Sequence, residues 1–299
     1  MSYILGLSCG YHDSAAALIK DGKVLGACEE ERFTGIKHDS SFPTNTINWL
    51  YKEFNVDGRE ITDVVFYDNP KLKLDRIEKS TKRGPKSEKE HRLEIIQRNK
   101  EKFEEIEQQI LDITHPYVDI EYGDHHLSHV AYSYYTSPFN KASILSVDGV
   151  GEWETTSLYY GEGNKLFNLQ SINFPHSLGM LYSAFTAFLG FKPNEGEYKV
   201  MGLAPYGNHE TYLKQFQKLY TTTRDGGFEL DMKYFTYDWS DDHMFNEKLA
   251  SLFDLPNRFP EEELTQDHKD LAATLQHQYE FLLFRLIDRL YAVRSTHNL

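Results

Sequence analysis

Residues 3–28, YILGLSCGYHDSAAALIKDGKVLGAC, decide how this 299-residue chain is read. A mostly apolar strand, Tyr3 to Ser8, runs into a polar turn, Cys9 to Asp13. A second strand covers Ser14 to Lys20 and a third covers Lys23 to Cys28. Asp21-Gly22 between them is a two-residue hairpin signal, because the favoured turn needs positive φ at both positions. The same layout recurs at 142–173, ASILSVDGVGEWETTSLYYGEGNKLFNLQSIN. There a strand (Ala142 to Val147) leads through the turn 148–152 to a second strand (Thr155 to Tyr160). The turn Gly161 to Asn164 leads to a third (Lys165 to Asn173). The copies lie about 140 residues apart, far beyond the period of a solenoid. Two such meanders, each with an acidic or glycine-containing first turn, predict an α/β chain of two related halves facing one cleft. The first half spans 1–138 and the second 139–299.

Around these meanders the periodicity turns helical. Ile47, Leu50 and Tyr51 predict a helix over 44–54, and Thr62 to Tyr67 reads as a strand. Residues 71–113 are dense in Lys, Glu and Arg. Leu93, Ile96, Phe103, Ile106, Ile110 and Leu111 form a narrow apolar stripe there, expected to be an exposed amphipathic helical excursion. A short strand is expected from Val118 to Tyr122, and Asp124 then caps a helix carrying His125, His126 and His129. Leu178, Leu181, Phe185 and Phe188 predict a buried helix over 177–189. Helices are also expected over 197–203 and from Gln266 to about Arg294.

Composition narrows the classes. Apolar residues make up 40% and aromatics 14%, enough for a sizeable core. No run of about 18 apolar residues exists, and the N-terminus lacks a signal-peptide pattern, so neither a membrane span nor secretion is expected. Two cysteines, Cys9 and Cys28, are too few for a disulfide framework or a thiolate zinc site, which suits a reducing cytoplasm. A formal charge of −14 argues against binding to a nucleic-acid backbone.

Three groups of residues carry possible chemistry. His125 and His129 lie four apart, so a helix projects both imidazoles from one face. Asp148, just after the next strand, offers a carboxylate to the same ion. Nitrogen and oxygen donors without thiolate suit Fe(II), Zn or Mn. The same spacing also fits a His-rich surface helix. Gly149 and Gly151 in Asp148-Gly-Val-Gly-Glu152 let a ligand approach the backbone, as an anion nest or as an ordinary glycine turn. His12 and Asp13 occupy the first turn, where a His beside a carboxylate acts as a base or is a plain polar turn.

The stretches GYHDSAAALIKDGKV, EEERFTGIKHD, DHHLSHVAYSYYTSPF, LSVDGVGEWETT, SLGMLYSAFTAFLGF and GEYKVMGLAPYG, in this order, resemble the NodU/CmcH-type O-carbamoyltransferase family over nearly the whole chain. The resemblance implies the actin-, Hsp70- and sugar-kinase-like (RNase H-like) two-half fold, with the second half incomplete and a following YrdC-like domain absent. It implies transfer of a carbamoyl group from carbamoyl-adenylate, made from carbamoyl phosphate and ATP, to a hydroxyl of a sugar, antibiotic or similar small molecule. It matches His125, His129 and Asp148 to metal ligands, His12 to a residue near the acceptor, and Lys199 to a stretch near the nucleotide. Gly149, Gly151 and Glu152 fall in the turn expected to hold the adenylate. An incomplete sheet would leave open edges, so self-association, or a C-terminal polypeptide supplied in trans, is expected. An actin-like sugar kinase, or a non-catalytic partner subunit of a split enzyme, are the competing readings. A histidine-pair metal helix is unneeded in a kinase that uses Mg.

Overall fold

The computed structural model describes residues 2–85, 89–240, 242–294 and 296–299 and is mixed α/β. It divides into two compact units. The first runs to Arg76 and resumes at Leu93–Ser128; the second takes Ile77–Arg92 and His129–Leu299.

The first unit is built on a five-stranded sheet of order β3-β2-β1-β4-β5. Strands β1 (Tyr3–Ser8), β2 (Ala15–Lys20) and β3 (Lys23–Glu29) form the antiparallel meander. Lys20 pairs with Lys23, so Asp21 (φ 47°) and Gly22 (φ 78°) make the two-residue turn. Strands β4 (Ile61–Phe66) and β5 (Asp119–Tyr122) add in parallel on the far side of β1. Leu7 sits opposite Phe66, and Phe66 opposite Tyr122, so the carboxyl ends of three parallel strands finish level.

The helices α1 (Glu31–Thr34) and α2 (Thr44–Phe54) lie between β3 and β4 in the chain, and α3 (Pro70–Thr81) and α4 (Lys89–Ile113) between β4 and β5. Glu30 is buried. Its carboxylate accepts hydrogen bonds from the backbone N–H groups of Asn45 and Thr46 and from both side chains (2.6–3.1 Å). A carboxylate there meets the unpaired N–H groups and the positive end of the α2 dipole. The apolar stripe of 93–111, expected on an exposed excursion, is corrected by the structure. Leu93 is exposed, but Ile106 and Ile110 are buried with Leu5, Leu7, Leu50 and Phe66. The second half of α4 therefore contributes one face to this core, and Ile95 nearer its start is buried as well.

The second unit carries the antiparallel meander β6 (Lys141–Val147), β7 (Glu154–Glu162) and β8 (Lys165–Asn173), in order β6-β7-β8. Helix α5 (His125–Tyr135) leads into it. After it come α6 (Leu178–Phe188), α7 (Glu197–Leu203), α8 (Leu213–Phe216), the hairpin β9 (Tyr220–Thr222) and β10 (Phe228–Leu230), α9 (Glu247–Phe253) and α10 (Gln266–Val293). The β9–β10 hairpin falls between the helices expected over 197–203 and from Gln266, where the sequence reading placed no strand. Its strands have three residues each, too few for a readable alternation. In α10, Leu271, Leu275, Leu282, Leu286 and Leu290 share one stripe with buried Gln278, and the leucines are buried in one core with Leu181, Phe185, Phe188 and Phe253. Among the described residues no helix is long and apolar enough to cross a membrane.

Candidate functional site

Asp124 ends the loop after β5, and its carboxylate accepts the N–H of Leu127 (2.8 Å), which starts α5 at His125 as its sequence predicts. His126 is fully buried, so the helix turns the His125 and His129 face away from that packed side. The His125 ring lies 5.4 Å from that of Tyr67. Asp148 follows β6 directly, its N–H donating to Thr155 O (2.9 Å). His129 Nε2 is 3.6 Å from Asp148 Oδ2, and one donor atom each from His125, His129 and Asp148 lie within 4.8 Å of one another. Ligands held at about 2.0–2.2 Å from one ion sit about 3–4 Å apart. The pair at 3.6 Å meets that, and the third atom lies within 4.8 Å of both. Two imidazoles and a carboxylate fit Fe(II), Zn or Mn, and suit soft metals poorly.

What holds Asp148 is the N-terminus of α6. Ser177 caps that helix, accepting from Met180 N (3.0 Å), and its hydroxyl donates to Gly149 O (2.7 Å). A Cβ on Gly179 would come within 2.7 Å of Asp148 O and 2.8 Å of Gly149 N, so only glycine lets α6 approach the turn this closely. Inside the turn, Gly149 N–H donates to Asp148 Oδ1 (2.6 Å) and Gly151 N–H to Glu154 O (2.8 Å). Those two donors are engaged within the turn itself. Glu152 is buried. Lys199 is not among the residues gathered at Asp148; it sits exposed on α7, its Nζ 5.9 Å over the rings of Phe191 and Tyr198.

The first unit gathers a second group at the carboxyl end of its parallel strands, where open α/β sheets hold ligands. After β1, His12 Nδ1 meets Asp13 Oδ2 at 2.7 Å, so these neighbours do pair. A third residue, unforeseen in the sequence, joins them: His38 Nδ1 lies 2.9 Å from Asp13 Oδ1. Burial raises the Asp13 pKa, and the hydrogen bonds from His38 and His12 outweigh it, leaving the carboxyl below its ordinary value. After β4, buried Asp68 pairs with Lys73 Nζ at 2.6 Å, also unforeseen. Cys9 in the same turn is no nucleophile, because burial pushes its thiol up to about 12.

Comparison with known proteins gives these features a family. An uncharacterized protein of Synechocystis (sll1178) is 41% identical over the whole of this chain and half of its own length. The nodulation protein NolNO of Sinorhizobium fredii is 30% identical over 92% of this chain and 38% of its own. The chain thus spans half or less of the length of these two relatives. Among solved structures, an Aquifex aeolicus Ppx/GppA phosphatase aligns over 97% of this chain and 93% of its own. Its identity is 15% and its TM-score 0.34, a likeness too slight to carry an argument. The Carbamoyltransferase N-terminus family model matches residues 3–299, and the chain belongs to that carbamoyltransferase family.

Proposed function

We propose that this chain is the acceptor-side part of an O-carbamoyltransferase that passes a carbamoyl group from carbamoyl-adenylate to a hydroxyl of a sugar, antibiotic or similar small molecule. The carrying observation is the convergence of His125, His129 and Asp148, three donors of fitting chemistry, in a chain of this family. In this reading the chain follows the actin-like two-half plan, each half opening on a three-stranded meander. Carbamoyl-adenylate would be made from carbamoyl phosphate and ATP by a YrdC-like domain, in the same or a separate polypeptide. A cytoplasmic setting suits two cysteines without a pairing role.

His125, His129 and Asp148 would hold the divalent ion. Bound there, it supplies Lewis-acid stabilisation to the oxygens of the adenylate phosphate. The chain's own residues do the rest. The acceptor oxygen forms the new bond to the carbamoyl carbon, and the carbon–oxygen bond to phosphate breaks, with the electron pair leaving on AMP. His12 takes the hydroxyl proton, and Asp13, accepting from His12 Nδ1, stabilises the imidazolium that results. Gly149, Gly151, Glu152 and Lys199 are proposed on the nucleotide side. A hydroxyl is a weak nucleophile at neutral pH, so holding it beside an activated mixed anhydride supplies most of the rate.

The test supplies carbamoyl-adenylate to purified protein and follows label into a hydroxyl acceptor. His12→Ala should lower transfer about 100-fold or more, the scale of a lost general base. Undiminished transfer in this variant would remove His12 from the role.

A further inference from the structure

The geometry points to His38 as a positioning residue: through Asp13 it holds His12 in the tautomer whose Nε2 is the basic nitrogen. The inference rests on the proposed reading of His12 as the base of carbamoyl transfer. It begins with the backbone. Among the described residues, six non-glycines adopt positive φ: Asp13, Asp21, His38, Asn55, Asn194 and Asp254. Asp21 sits in a hairpin turn, and Asn55 and Asp254 end helices, where that conformation is ordinary. Asn194, Asp13 (φ 50°) and His38 (φ 57°) sit in neither setting, and of these Asp13 and His38 have side chains that meet each other. Unusual backbone that persists is held by its surroundings and tends to mark a working site.

The surroundings here are specific. Ser14 N–H donates to Asp39 O (2.8 Å) and Gly10 N–H to Ser40 O (2.9 Å), lacing the turn of His12 and Asp13 to the segment of His38. The Asp39 carboxylate accepts from Ser41 N, Ser41 Oγ and Thr34 Oγ1 (2.6–2.9 Å), which fixes the bend just after His38. His38 N–H itself donates to Glu31 (3.2 Å). His38 is therefore set against Asp13 by the loop rather than by chance rotation of an exposed side chain.

The proton assignment follows from donor chemistry. An ionised carboxylate only accepts, so both imidazoles donate through Nδ1–H, one to each oxygen of Asp13. With both oxygens engaged, the carboxylate has one orientation, and His12 has one tautomer, Nδ1–H with the lone pair on Nε2. Without His38, Oδ1 loses its partner, the exposed carboxylate rotates, and the Nε2–H form of His12 becomes populated. That form has no lone pair on Nε2.

Two variants separate positioning from folding. His38→Gly keeps the left-handed backbone and removes the donor. His38→Asn tolerates the same backbone and restores an N–H donor. Imidazole nitrogen shifts, read by long-range proton–nitrogen NMR on the chain, should show His12 as Nδ1–H in the parent and in His38→Asn. In His38→Gly they should show a mixture of tautomers. Transfer from supplied carbamoyl-adenylate should fall about tenfold in kcat, with the acceptor KM within about twofold, and recover in His38→Asn. An unchanged His12 tautomer in His38→Gly, or no recovery in His38→Asn, overturns the inference. Full transfer by His12→Ala overturns the underlying reading instead, and the NMR result is independent of it.

Discussion

At the scale of single residues, the proposed metal donors make the sharpest claim. His129→Ala removes the donor 3.6 Å from Asp148 and leaves two of three. Even residues that only orient a metal ligand are worth about 10–100-fold in affinity, so this loss should cost at least that. Isothermal titration with Zn or Mn reads it, and parent-like affinity would dissolve the site. A second residue sets a pH dependence. Burial raises the Asp238 carboxyl to about 6, against which Arg83 at 3.8 Å gives partial relief. A carboxyl raised above its unfolded value contributes stability at pH below about 4 that is lost as pH climbs through about 6. Asp238→Asn should therefore stabilise the fold at pH 8 by up to about 3 kcal/mol, and hardly at all at pH 4. Denaturant melts at both pH values check the sign; equal gains at both would refute it. The donors His125 and His129 were legible because helical spacing is written in the sequence. His38 was not, because its partner lies 25 residues away and no periodicity links them. The anchoring of Glu30 is equally invisible in local pattern, because its partners, Asn45 and Thr46, are on another element.

Elements show where local pattern suffices. The hairpin of β2 and β3 and the meander of β6 to β8 were readable because their turns and alternation are local. The pairing of β1 with β4 was not, since parallel strands join through a long crossover; Tyr3 meets Ile61. The stripe on α4 was seen, but a charged helix does not declare which of its turns are covered. Helix α6 matters most for the proposed metal site, because its first turn holds the Asp148 turn. Gly179→Ala puts a methyl against backbone at 2.7 Å, and backbone cannot yield as a flexible side chain does. The expected cost is about 1–3 kcal/mol of stability with weakened metal binding, because Asp148 moves with the turn. Ser177→Ala should cost about 1 kcal/mol through the lost cap, with a smaller effect on the metal. Urea melts paired with metal titration separate the two. If Gly179→Ala binds metal as the parent does, the contact does not position Asp148.

On the scale of the whole molecule, the two compact units have distinct cores, and this gives the last prediction. Ile110 is fully buried among Leu5, Leu7, Ile47, Leu50 and Phe66 of the first unit. Leu286 is fully buried among Leu181, Phe185 and Leu282 of the second. Truncating a buried leucine or isoleucine to alanine costs about 2–5 kcal/mol, because transfer energy is lost and a cavity remains. That cost falls first on the unit whose packing is cut, since local openings follow cooperative units rather than the chain as a whole. Ile110→Ala should therefore raise amide exchange in β1, β4 and α2, and Leu286→Ala in α6 and the rest of α10. Hydrogen exchange read by mass spectrometry on peptides from each region distinguishes them. A uniform rise across both sets from either substitution would mean that the two cores open as one.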